Sequence, residues 1–454
     1  MTIANFDGID APKRLQTPEE KNLAEKGGFL QVEDVDLREL CELVGTPAYV
    51  YSSTAIVDAY RSFEDAFGRN RIAICFAVKA NSNLSILSLL RSLGSGMDIV
   101  SGGELARALS AGVPGERIVF SGVGKTAAEI RQALDARIHQ FNVESAAELQ
   151  LIAALAAERK VRAPVSLRVN PDVDALTHAK ISTGRKGDKF GIAMEDVARL
   201  YADAAADARL DPVGLAVHIG SQITELSPYQ SAYSRLRGLV GELRAAGLPI
   251  RRLDLGGGLG ISYGGNTSAP SLAAYADIVC RTVGDLGLEL TIEPGRRIVG
   301  EAGVLVTEVL TVKHGEDADI VIIDAGMNDL ARPALYGAVH PVSLLVGRPG
   351  LKRPCRIFGP VCESADFFGC YADLPPLMQG DRLVLHAAGA YGASMASNYN
   401  TRPLAPEVLV KGDSYAVVRR RQSIADMLVL EKDAGWFAAS GRRKGDALSG
   451  IVSR

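Results

Sequence analysis

IAICFAVKA, residues 72–80, places Lys79 directly after seven apolar residues, a run apolar enough to form a buried β-strand. Burial penalises the charged form of a lysine, so a desolvated amine loses its proton more easily and can form a Schiff base with a carbonyl compound. The alternative is a lysine that ends a strand and extends into solvent, which is the more frequent case for a lysine taken alone. The residues that converge on Lys79 in the folded chain decide between the two interpretations.

The stretch around Lys79 is the first of eight similar units between about residue 70 and residue 295. Each unit has a short run rich in Val, Ile and Leu, a polar or glycine-containing end, and in most cases a segment with the apolar spacing of an amphipathic helix, as at 127–136, 146–157 and 232–246. This alternation predicts an α/β fold, a (β/α)8 barrel of the TIM type. A doubly wound open sheet is the alternative, which is weakened because no GxGxxG follows a first strand. The eight predicted strands are 72–80, 97–101, 118–122, 140–145, 165–171, 215–221, 253–258 and 288–294.

After about residue 303 the pattern changes to apolar runs of period two without long helices between them. This half is predicted to be an all-β domain, sandwich-like or barrel-like, and the strand candidates at 29–32 and 48–51 are expected to join it in space. We therefore expect an N-terminal extension over 1–27, a barrel over 55–305, a β domain built from 28–54 and 306–432, and a C-terminal tail over 433–454. The predicted strands of the second half are 304–312, 319–324, 382–387, 407–410 and 414–418.

The composition is that of a globular protein, with 454 residues of which 47% are hydrophobic and 23% are charged. The net charge of −3 provides no basic surface for nucleic acid. No apolar stretch approaches the roughly 20 residues needed to span a bilayer, and residues 1–26 lack the apolar core of a signal peptide. The six cysteines show neither a CxxC nor a pairing with histidines at metal-ligand spacing. We expect a cytoplasmic protein with reduced cysteines, no metal site, and neither nucleic acid nor membrane as a partner.

Polar residues occupy the predicted carboxyl ends of the strands, where a parallel barrel gathers its chemistry. The glycine run at 256–258 follows the seventh strand, a common phosphate-binding position, although such a run alone marks only a tight turn. Glu293 ends the eighth strand and is either ion-paired with a following arginine or held against a pyridine nitrogen to keep that nitrogen protonated. His218 ends the sixth and is either an ordinary core histidine or a ring that stacks on a cofactor. Together with Lys79, these residues describe a site for pyridoxal 5'-phosphate.

Longer motifs identify a family. The chain resembles the barrel-type, fold type III pyridoxal phosphate decarboxylases, and most closely the diaminopimelate decarboxylases, over about residues 45–425 and in the family's order. The motifs are FAVKAN around Lys79, DIVSGGEL from Asp98, RVNP from Arg168, HIGSQ from His218, GGGLGI from Gly256, EPGR from Glu293, NDLARPALY from Asn328, CESAD from Cys362 and GAYGASMASNYN from Gly389.

The resemblance implies a role for each of these residues. Lys79 carries the cofactor as a Schiff base, His218 stacks on its ring, and Glu293 pairs with the ring nitrogen. The residues implied to hold or line the phosphate are Ser221, Gly257, Gly258, Gly295, Arg296 and Tyr391. The residues implied to contact the substrate are Arg296, Arg332, Tyr336, Glu363 and Tyr391.

The same resemblance implies the reaction. The substrate amine displaces Lys79, carbon dioxide leaves, and Cys362, contributed across a homodimer interface in relatives, returns a proton. Arg332 and Glu363 suit the carboxylate and ammonium of a second amino-acid centre, which favours meso-diaminopimelate, with lysine as the product, over ornithine or lysine as substrate.

Other enzyme and non-enzyme interpretations remain open at this point. They are a decarboxylase of ornithine, lysine or a D-amino acid, an amino-acid racemase, and a non-catalytic relative that binds a partner protein. Retention of Lys79 and Cys362 argues against the last. The basic stretch at 177–191 resembles the family's flexible lid, or is simply a solvated loop, and the tail with Trp436 lies outside the matched region.

Overall fold

A computed structural model describes residues 23–68, 72–178, 180, 183–185, 187–264 and 268–431 of the chain. The expected N-terminal extension lies outside these residues except for its last five, and the expected C-terminal tail, with Trp436, lies outside them entirely. The described residues from 422 onward belong to a second unit, in which a short helix, Ile424–Leu428, begins with a capping box formed by Ser423 and Asp426.

The described chain begins with a small antiparallel sheet of three strands, followed by a helix and a single strand. These elements are β1 Leu23–Lys26, β2 Phe29–Val32, β3 Val35–Asp36, α1 Leu37–Val44 and β4 Ala48–Ser52. The strand predicted at 29–32 exists, but it pairs with β1 and β3 because a turn at residues 27 and 28 folds β1 back onto it. It reaches the larger sheet through one isolated bridge, Phe29 to Val346, and one hydrogen bond of 2.9 Å from the Leu30 N–H to the Leu345 carbonyl oxygen.

Eight parallel strands then close into a barrel, because the last strand pairs with the first through Leu290 and Ile72. Each of the eight overlaps one predicted run, so the predicted barrel is confirmed. The strands are β5 Ile72–Ala77, β6 Gly96–Ile99, β7 Ile118–Phe120, β8 Gln140–Val143, β9 Ala163–Asn170, β11 Leu210–Val217, β12 Arg252–Asp254 and β13 Glu289–Ile292, and the two-residue strand β10 Ile192–Ala193 pairs with β9.

Helices surround the barrel, and side-chain caps start several of them. Thr126 forms a capping box with Glu129, and Ser101 and Ser145 each accept from a backbone N–H of the first turn. The helices predicted at 127–136 and 146–157 are confirmed, and the one predicted at 232–246 begins earlier because a proline is tolerated in its first turn. The helices are α2 Ser53–Phe67, α3 Leu84–Ser92, α4 Gly102–Ser110, α5 Ala127–Asp135, α6 Ala146–Arg159, α7 Met194–Ala206, α8 Ser227–Ala245, α9 Leu272–Val283 and α10 Arg296–Val299.

The second half of the chain forms a large sheet, as its period-two pattern predicted. N-terminal strand β4 lies within it, antiparallel to β14 and parallel to β20, so the expectation for 48–51 is confirmed. All five predicted strands are present, and three more, β16 to β18, were not predicted. The elements are β14 Gly303–Lys313, β15 Asp319–Ile323, α11 Arg332–Tyr336, β16 Val342–Leu344, β17 Cys355–Phe358, β18 Phe367–Tyr371, β19 Arg382–Leu385, β20 Glu407–Lys411 and β21 Ser414–Arg419.

The barrel interior contains polar side chains at the carboxyl ends of its strands. Phe120, Phe141 and Leu253 are fully buried apolar residues of the strands. Asp98 and Glu293, at or just past the ends of their strands, are also at most 6% exposed. Buried polar groups are stable only when they have partners, so this end of the barrel is where a site is expected. Among the described helices, none is both long and apolar enough to cross a membrane.

Candidate active site

Lys79 lies just past β5, in a 3-10 turn over Val78–Ala80 rather than within the strand. Its ammonium pairs with the carboxylate of Asp98 on β6, which is fully buried, whereas 32% of the Lys79 side chain is exposed. Two residues from the C-terminal half fix the backbone here. The Tyr391 N–H donates to the Ala80 carbonyl oxygen at 2.8 Å, and the Ser394 hydroxyl donates to that of Lys79 at 3.0 Å. The lysine is therefore held at the barrel mouth by both halves of the chain.

The pKa of Lys79 differs from the expectation drawn from the sequence. Burial lowers this pKa, but the electrostatic effects of Asp98, Tyr391 and Glu293 outweigh burial, so the pKa lies above its ordinary value. The expectation that burial would free the amine of its proton is wrong, because the sequence did not show the ion pair with Asp98. The amine is held as a cation, and it must leave this pair before it can attack a carbonyl carbon.

Glu293 belongs to a buried polar cluster at the ends of four strands. Its Oε1 lies 3.5 Å from the Ser121 hydroxyl oxygen and 3.4 Å from Asn142 Nδ2. The same Asn142 nitrogen donates to Asp254 Oδ2 at 2.9 Å, so one amide bridges two carboxyl groups. Burial, followed by the charges of Asp254 and Asp98, raises the pKa of Glu293 well above its ordinary value. Glu293 therefore takes up a proton more readily than an ordinary glutamate, as suits a carboxyl group that shares a proton with a basic ligand atom.

His218 directly follows β11 and is a neutral ring. Its Nδ1 accepts a hydrogen bond from the Gly257 N–H at 3.1 Å, so Nδ1 carries no proton. Burial, together with the charges of Arg168 and Lys79, lowers the pKa of His218 well below its ordinary value. The His218 carbonyl oxygen also accepts from the Thr183 hydroxyl at 2.9 Å. A neutral imidazole fixed in this way can stack on a flat ring without adding positive charge.

Glycines form a backbone cradle after β12 and β13. A Cβ on Gly257 would lie 2.0 Å from the carbonyl oxygen of Glu293. One on Gly258, whose φ is +99°, would lie 2.2 Å from the carbonyl oxygen of Gly220. In the next loop, a Cβ on Gly295 would lie 2.9 Å from that of Ala80. Glycine at these three positions therefore lets the loops at this end of the barrel pack closely against one another, at the place where barrel proteins often bind phosphate.

Arg296 opens α10 beside this cradle and is only 7% exposed. Its NH2 donates to the Ser221 hydroxyl at 3.1 Å, its NH1 donates to the Tyr263 hydroxyl at 2.5 Å, and its Cζ lies 4.7 Å from the centre of the Tyr391 ring. Within the described part of the chain, its Nε has no hydrogen-bond partner and no carboxylate pairs with it. The alternative of an ion pair between Glu293 and this arginine is therefore not what the structure shows.

Arg332 opens α11 and is 4% exposed. Its NH1 donates to His340 Nε2 at 2.7 Å, and its Cζ lies 4.3 Å from the centre of the Tyr263 ring. Burial lowers the pKa of Arg332 to about 10, which still leaves it charged at neutral pH. At the other end of α11, the Tyr336 ring packs edge-on against His178, with 6.1 Å between ring centres.

The basic stretch at 177–191 contacts both the barrel and α11. The Lys180 ammonium donates to the Leu335 carbonyl oxygen at 3.0 Å, and the Thr183 N–H donates to that of Ile219 at 3.1 Å. Some of its positions, among them Lys186, lie outside the described residues. Its function as a lid stays a prediction.

Cys362 and Glu363 lie on an exposed loop. The Cys362 N–H donates to Asn400 Oδ1 at 2.8 Å. Among the described residues, no hydrogen bond or ion pair joins either side chain to Lys79 or Arg332. Hydrogen bonds, ion pairs and ring contacts thus connect other candidate residues at the barrel mouth, but none of those described connects this pair to Lys79 or Arg332.

Sequence reasoning missed four residues that organise the site. Asp98 stood at a predicted strand end without a role, and Asp254 stands two residues before the glycine run, so position alone offered a signal for both. Tyr263 and His340 gave none, because their contacts with Arg296 and Arg332 join segments that are distant in sequence.

The residues at the barrel mouth fit pyridoxal phosphate. Oδ1 of Asp98 and Nε of Arg296 are buried polar atoms that the described residues leave without a partner, and the glycine cradle lies beside Arg296. A phosphate, a basic ring nitrogen and an aldehyde would meet the cradle with Arg296, the Glu293 carboxyl and the Lys79 amine. No group of three or more metal-binding side chains occurs in the part of the chain that the structure describes.

The family model described as the pyridoxal-dependent decarboxylase, pyridoxal binding domain matches residues 53–300. Two curated relatives are the diaminopimelate decarboxylases of Neisseria meningitidis serogroup B, 48% identical over 88% of this chain and 96% of the relative, and of Pseudomonas fluorescens, 49% identical over 89% and 97%. Among solved structures, diaminopimelate decarboxylase from Helicobacter pylori complexed with L-lysine is 44% identical, with a TM-score of 0.84 over 87% of this chain and 98% of that one. The enzyme from M. jannaschii in co-complex with L-lysine is 38% identical, with a TM-score of 0.87 over 91% and 98%. The chain belongs to the diaminopimelate decarboxylase family of pyridoxal-dependent decarboxylases.

Proposed function

We propose that this chain decarboxylates meso-2,6-diaminopimelate to L-lysine and carbon dioxide, the last step of lysine biosynthesis, with pyridoxal phosphate as cofactor. The observation that carries the substrate is Arg332, a buried guanidinium that no carboxylate of the described residues neutralises. An uncompensated buried cation is costly unless a ligand supplies the anion. The names of the relatives and the L-lysine held in two solved structures support the same reaction.

Pyridoxal phosphate, when bound, supplies an aldehyde that condenses with amines and a ring that accepts the electrons released as carbon dioxide leaves. Lys79 is the proposed point of attachment, and Asp98 holds its ammonium until then. Glu293 would share a proton with the ring nitrogen, and the neutral His218 would lie against the ring. The proposed phosphate site consists of Ser221, Gly257, Gly258, Gly295, Arg296 and Tyr391.

The proposed substrate site joins the two buried arginines. Arg296, beside Tyr391, faces the cofactor end of the site, and Arg332 reads the carboxylate at the far amino-acid centre. Tyr336 lies on the same short helix as Arg332. A bidentate guanidinium suits a carboxylate. Ornithine and lysine, as substrates, both lack a carboxylate at this far position.

Cys362 and Glu363 complete the proposed site from a second copy of the chain. Both are exposed, and no described hydrogen bond or ion pair connects either side chain to the Lys79 of its own chain. Asp366, three residues after Glu363, shapes the loop because its carboxylate accepts from the Val361 N–H at 2.7 Å and the Met327 N–H at 2.6 Å. In a homodimer, Cys362 would return a proton to the substrate carbon and Glu363 would pair with the far ammonium.

The proposed domain division follows the same logic. The cofactor-binding barrel over 55–305 supplies the chemistry, and the β domain from 28–54 and 306–432 supplies Arg332 and, to the other copy, Cys362. We propose the cytoplasm as the location, because substrate and product are amino acids of biosynthesis.

The purified protein, incubated with pyridoxal phosphate and meso-diaminopimelate, is expected to release carbon dioxide and form L-lysine. Ornithine, L-lysine and D-amino acids serve as parallel substrates. Product formed only from ornithine or lysine would overturn the substrate assignment and leave the fold and cofactor assignments standing.

The shared site is tested by mixing two inactive variants, Lys79→Ala and Cys362→Ala. Each heterodimer would contain one site with both native residues, so a one-to-one mixture is expected to recover about a quarter of wild-type activity. No recovery after dissociation and reassociation of the subunits would contradict a site that is shared between chains. A mixture of two preparations of Lys79→Ala is the control.

A further inference from the structure

The two hydrogen-bond partners of the His340 ring determine which of its nitrogens carries the proton. Its Nδ1 lies 2.8 Å from the carbonyl oxygen of His386, which can only accept, so Nδ1 carries the proton. Its Nε2 lies 2.7 Å from NH1 of Arg332, which can only donate, so Nε2 offers a lone pair. His340, only 1% exposed, is therefore a neutral ring in one tautomer.

The other residues around this pair are two tyrosines, a histidine and a serine. The face of the Tyr263 ring lies 4.3 Å from Cζ of Arg332, and its edge packs against the His340 ring with 5.2 Å between centres. The Tyr371 hydroxyl donates to the His340 carbonyl oxygen at 2.9 Å. Behind the pair, His386 Nε2 and the Ser343 hydroxyl lie 2.8 Å apart. Arg332 is thus contacted by His340 and by the face of the Tyr263 ring, while its Nε has no partner within the described residues.

We propose that His340 is a positioning residue for substrate specificity: it holds Arg332 through a neutral acceptor, so that the guanidinium keeps its whole charge for the far carboxylate of the substrate. This inference rests on the proposed function, because it assigns Arg332 to that carboxylate.

The contrast with Lys79 supports this interpretation. Asp98 pairs with Lys79 and neutralises it, as suits an amine that must be held and later released. An aspartate or glutamate at position 340 would orient Arg332 equally well, but its carboxylate would neutralise the guanidinium. A neutral ring of fixed tautomer is the partner that orients a cation and leaves its charge available, because arginine with a neutral acceptor keeps a net positive charge, whereas arginine paired with a carboxylate has none.

The experiment compares L-lysine, which retains the far carboxylate, with cadaverine, which lacks it, as ligands of the holoenzyme by titration calorimetry. The variants are His340→Gln, which keeps a neutral acceptor, His340→Glu, which has the shape of glutamine but a negative charge, and His340→Leu, which has no acceptor. We expect His340→Gln to bind lysine within about threefold of wild type, and the Glu and Leu variants to bind it at least about tenfold more weakly. Cadaverine affinity is expected to stay within about threefold throughout.

Ser343→Ala is the matched control, because it removes a hydrogen bond from the same cluster without touching Arg332. It is expected to leave both affinities unchanged. Equal lysine affinity in the Gln and Glu variants would overturn the role of His340, as would a parallel loss of lysine and cadaverine binding. The Gln and Glu pair decides the matter even if His340→Leu fails to fold. A wild-type holoenzyme that neither decarboxylates diaminopimelate nor prefers lysine to cadaverine would instead overturn the proposed function, and this inference with it.

Discussion

Replacing Asp98 by Asn should make Lys79 reactive at lower pH. Asp98 is fully buried and pairs directly with the Lys79 ammonium. Burial alone lowers the pKa of Lys79, and the nearby negative groups, with Asp98 foremost, reverse that effect. Asparagine has nearly the same shape but no charge. Without the charge of Asp98, less remains to offset the lowering effect of burial, so the pKa of Lys79 is expected to fall.

The size of the shift follows from the geometry. Two unit charges about 4 Å apart attract by about 4 kcal/mol at an effective dielectric constant of about 20. Because 32% of the Lys79 side chain is exposed, solvent screens part of this attraction, and we take roughly half of it. At about 1.4 kcal/mol per pKa unit, the pKa should fall by roughly one to two units.

The assay measures how fast pyridoxal phosphate attaches covalently to the cofactor-free protein as a function of pH, with borohydride reduction and mass spectrometry to count attached molecules. The midpoint of the pH profile should fall by roughly one to two units in Asp98→Asn, with faster attachment near neutral pH. Asp254→Asn is the control, because it removes a buried carboxyl group that does not pair with Lys79 and should shift the midpoint less. An unchanged or higher midpoint in Asp98→Asn would refute the reasoning.

Three further predictions follow from the same structure. Gly257→Ala places a Cβ 2.0 Å from a backbone carbonyl oxygen and should abolish cofactor binding, measured by absorbance, whereas Gly238→Ala on α8, with nothing within 4 Å, should leave it intact. Burial raises the pKa of Glu104 to about 7, so ionisation of this carboxyl group weakens the fold as pH rises from 4.5 to about 7. Glu104→Gln should therefore raise the thermal midpoint at about pH 8 and leave it unchanged below about pH 4.5. A variant whose thermal midpoint equals that of wild type at both pH values would contradict the assignment. Asp366→Asn loses one of the two backbone hydrogen bonds that shape the Cys362 loop, so turnover should slow while the cofactor absorbance stays that of wild type. Loss of both turnover and cofactor absorbance would instead indicate general unfolding.

The sequence predicted the barrel because each strand carries its own local signal. An apolar run followed by a polar or glycine-containing end predicts both a strand and its carboxyl end, and parallel strands place those ends together. The positions of Lys79, His218 and Glu293 at three such ends were therefore sufficient to predict that they share one mouth of the barrel. The strand at 29–32 shows the limit of the same reasoning, because the pattern predicts a strand but a two-residue turn decides which neighbour it pairs with.

Contacts between distant segments were not predictable in this way. Nothing in the sequence indicates that Asp98 pairs with Lys79, and this ion pair, together with the charges of Tyr391 and Glu293, reversed the expected direction of the lysine's pKa. Likewise, His340 and Tyr263 carry no motif, and their importance comes from two arginines that the fold brings to them. Periodicity describes which face of an element is buried, whereas the charge state of a buried group depends on which partner reaches it.

The placement of charges explains how one mouth can bind a ligand of mixed sign. At the ends of the barrel strands, the carboxylate of Asp98 pairs with the Lys79 ammonium, and the raised pKa of Glu293 suits a carboxyl group that shares a proton with a basic ring nitrogen. Arg296 and Arg332, on the short helices α10 and α11, are buried cations that no described carboxylate neutralises. An anion bound beside them relieves an energetic cost that the free protein carries, so ligand binding and stability are linked at these two side chains. Under the proposed function, selectivity for a substrate with a second carboxylate would arise because only such a substrate supplies the anion that Arg332 lacks.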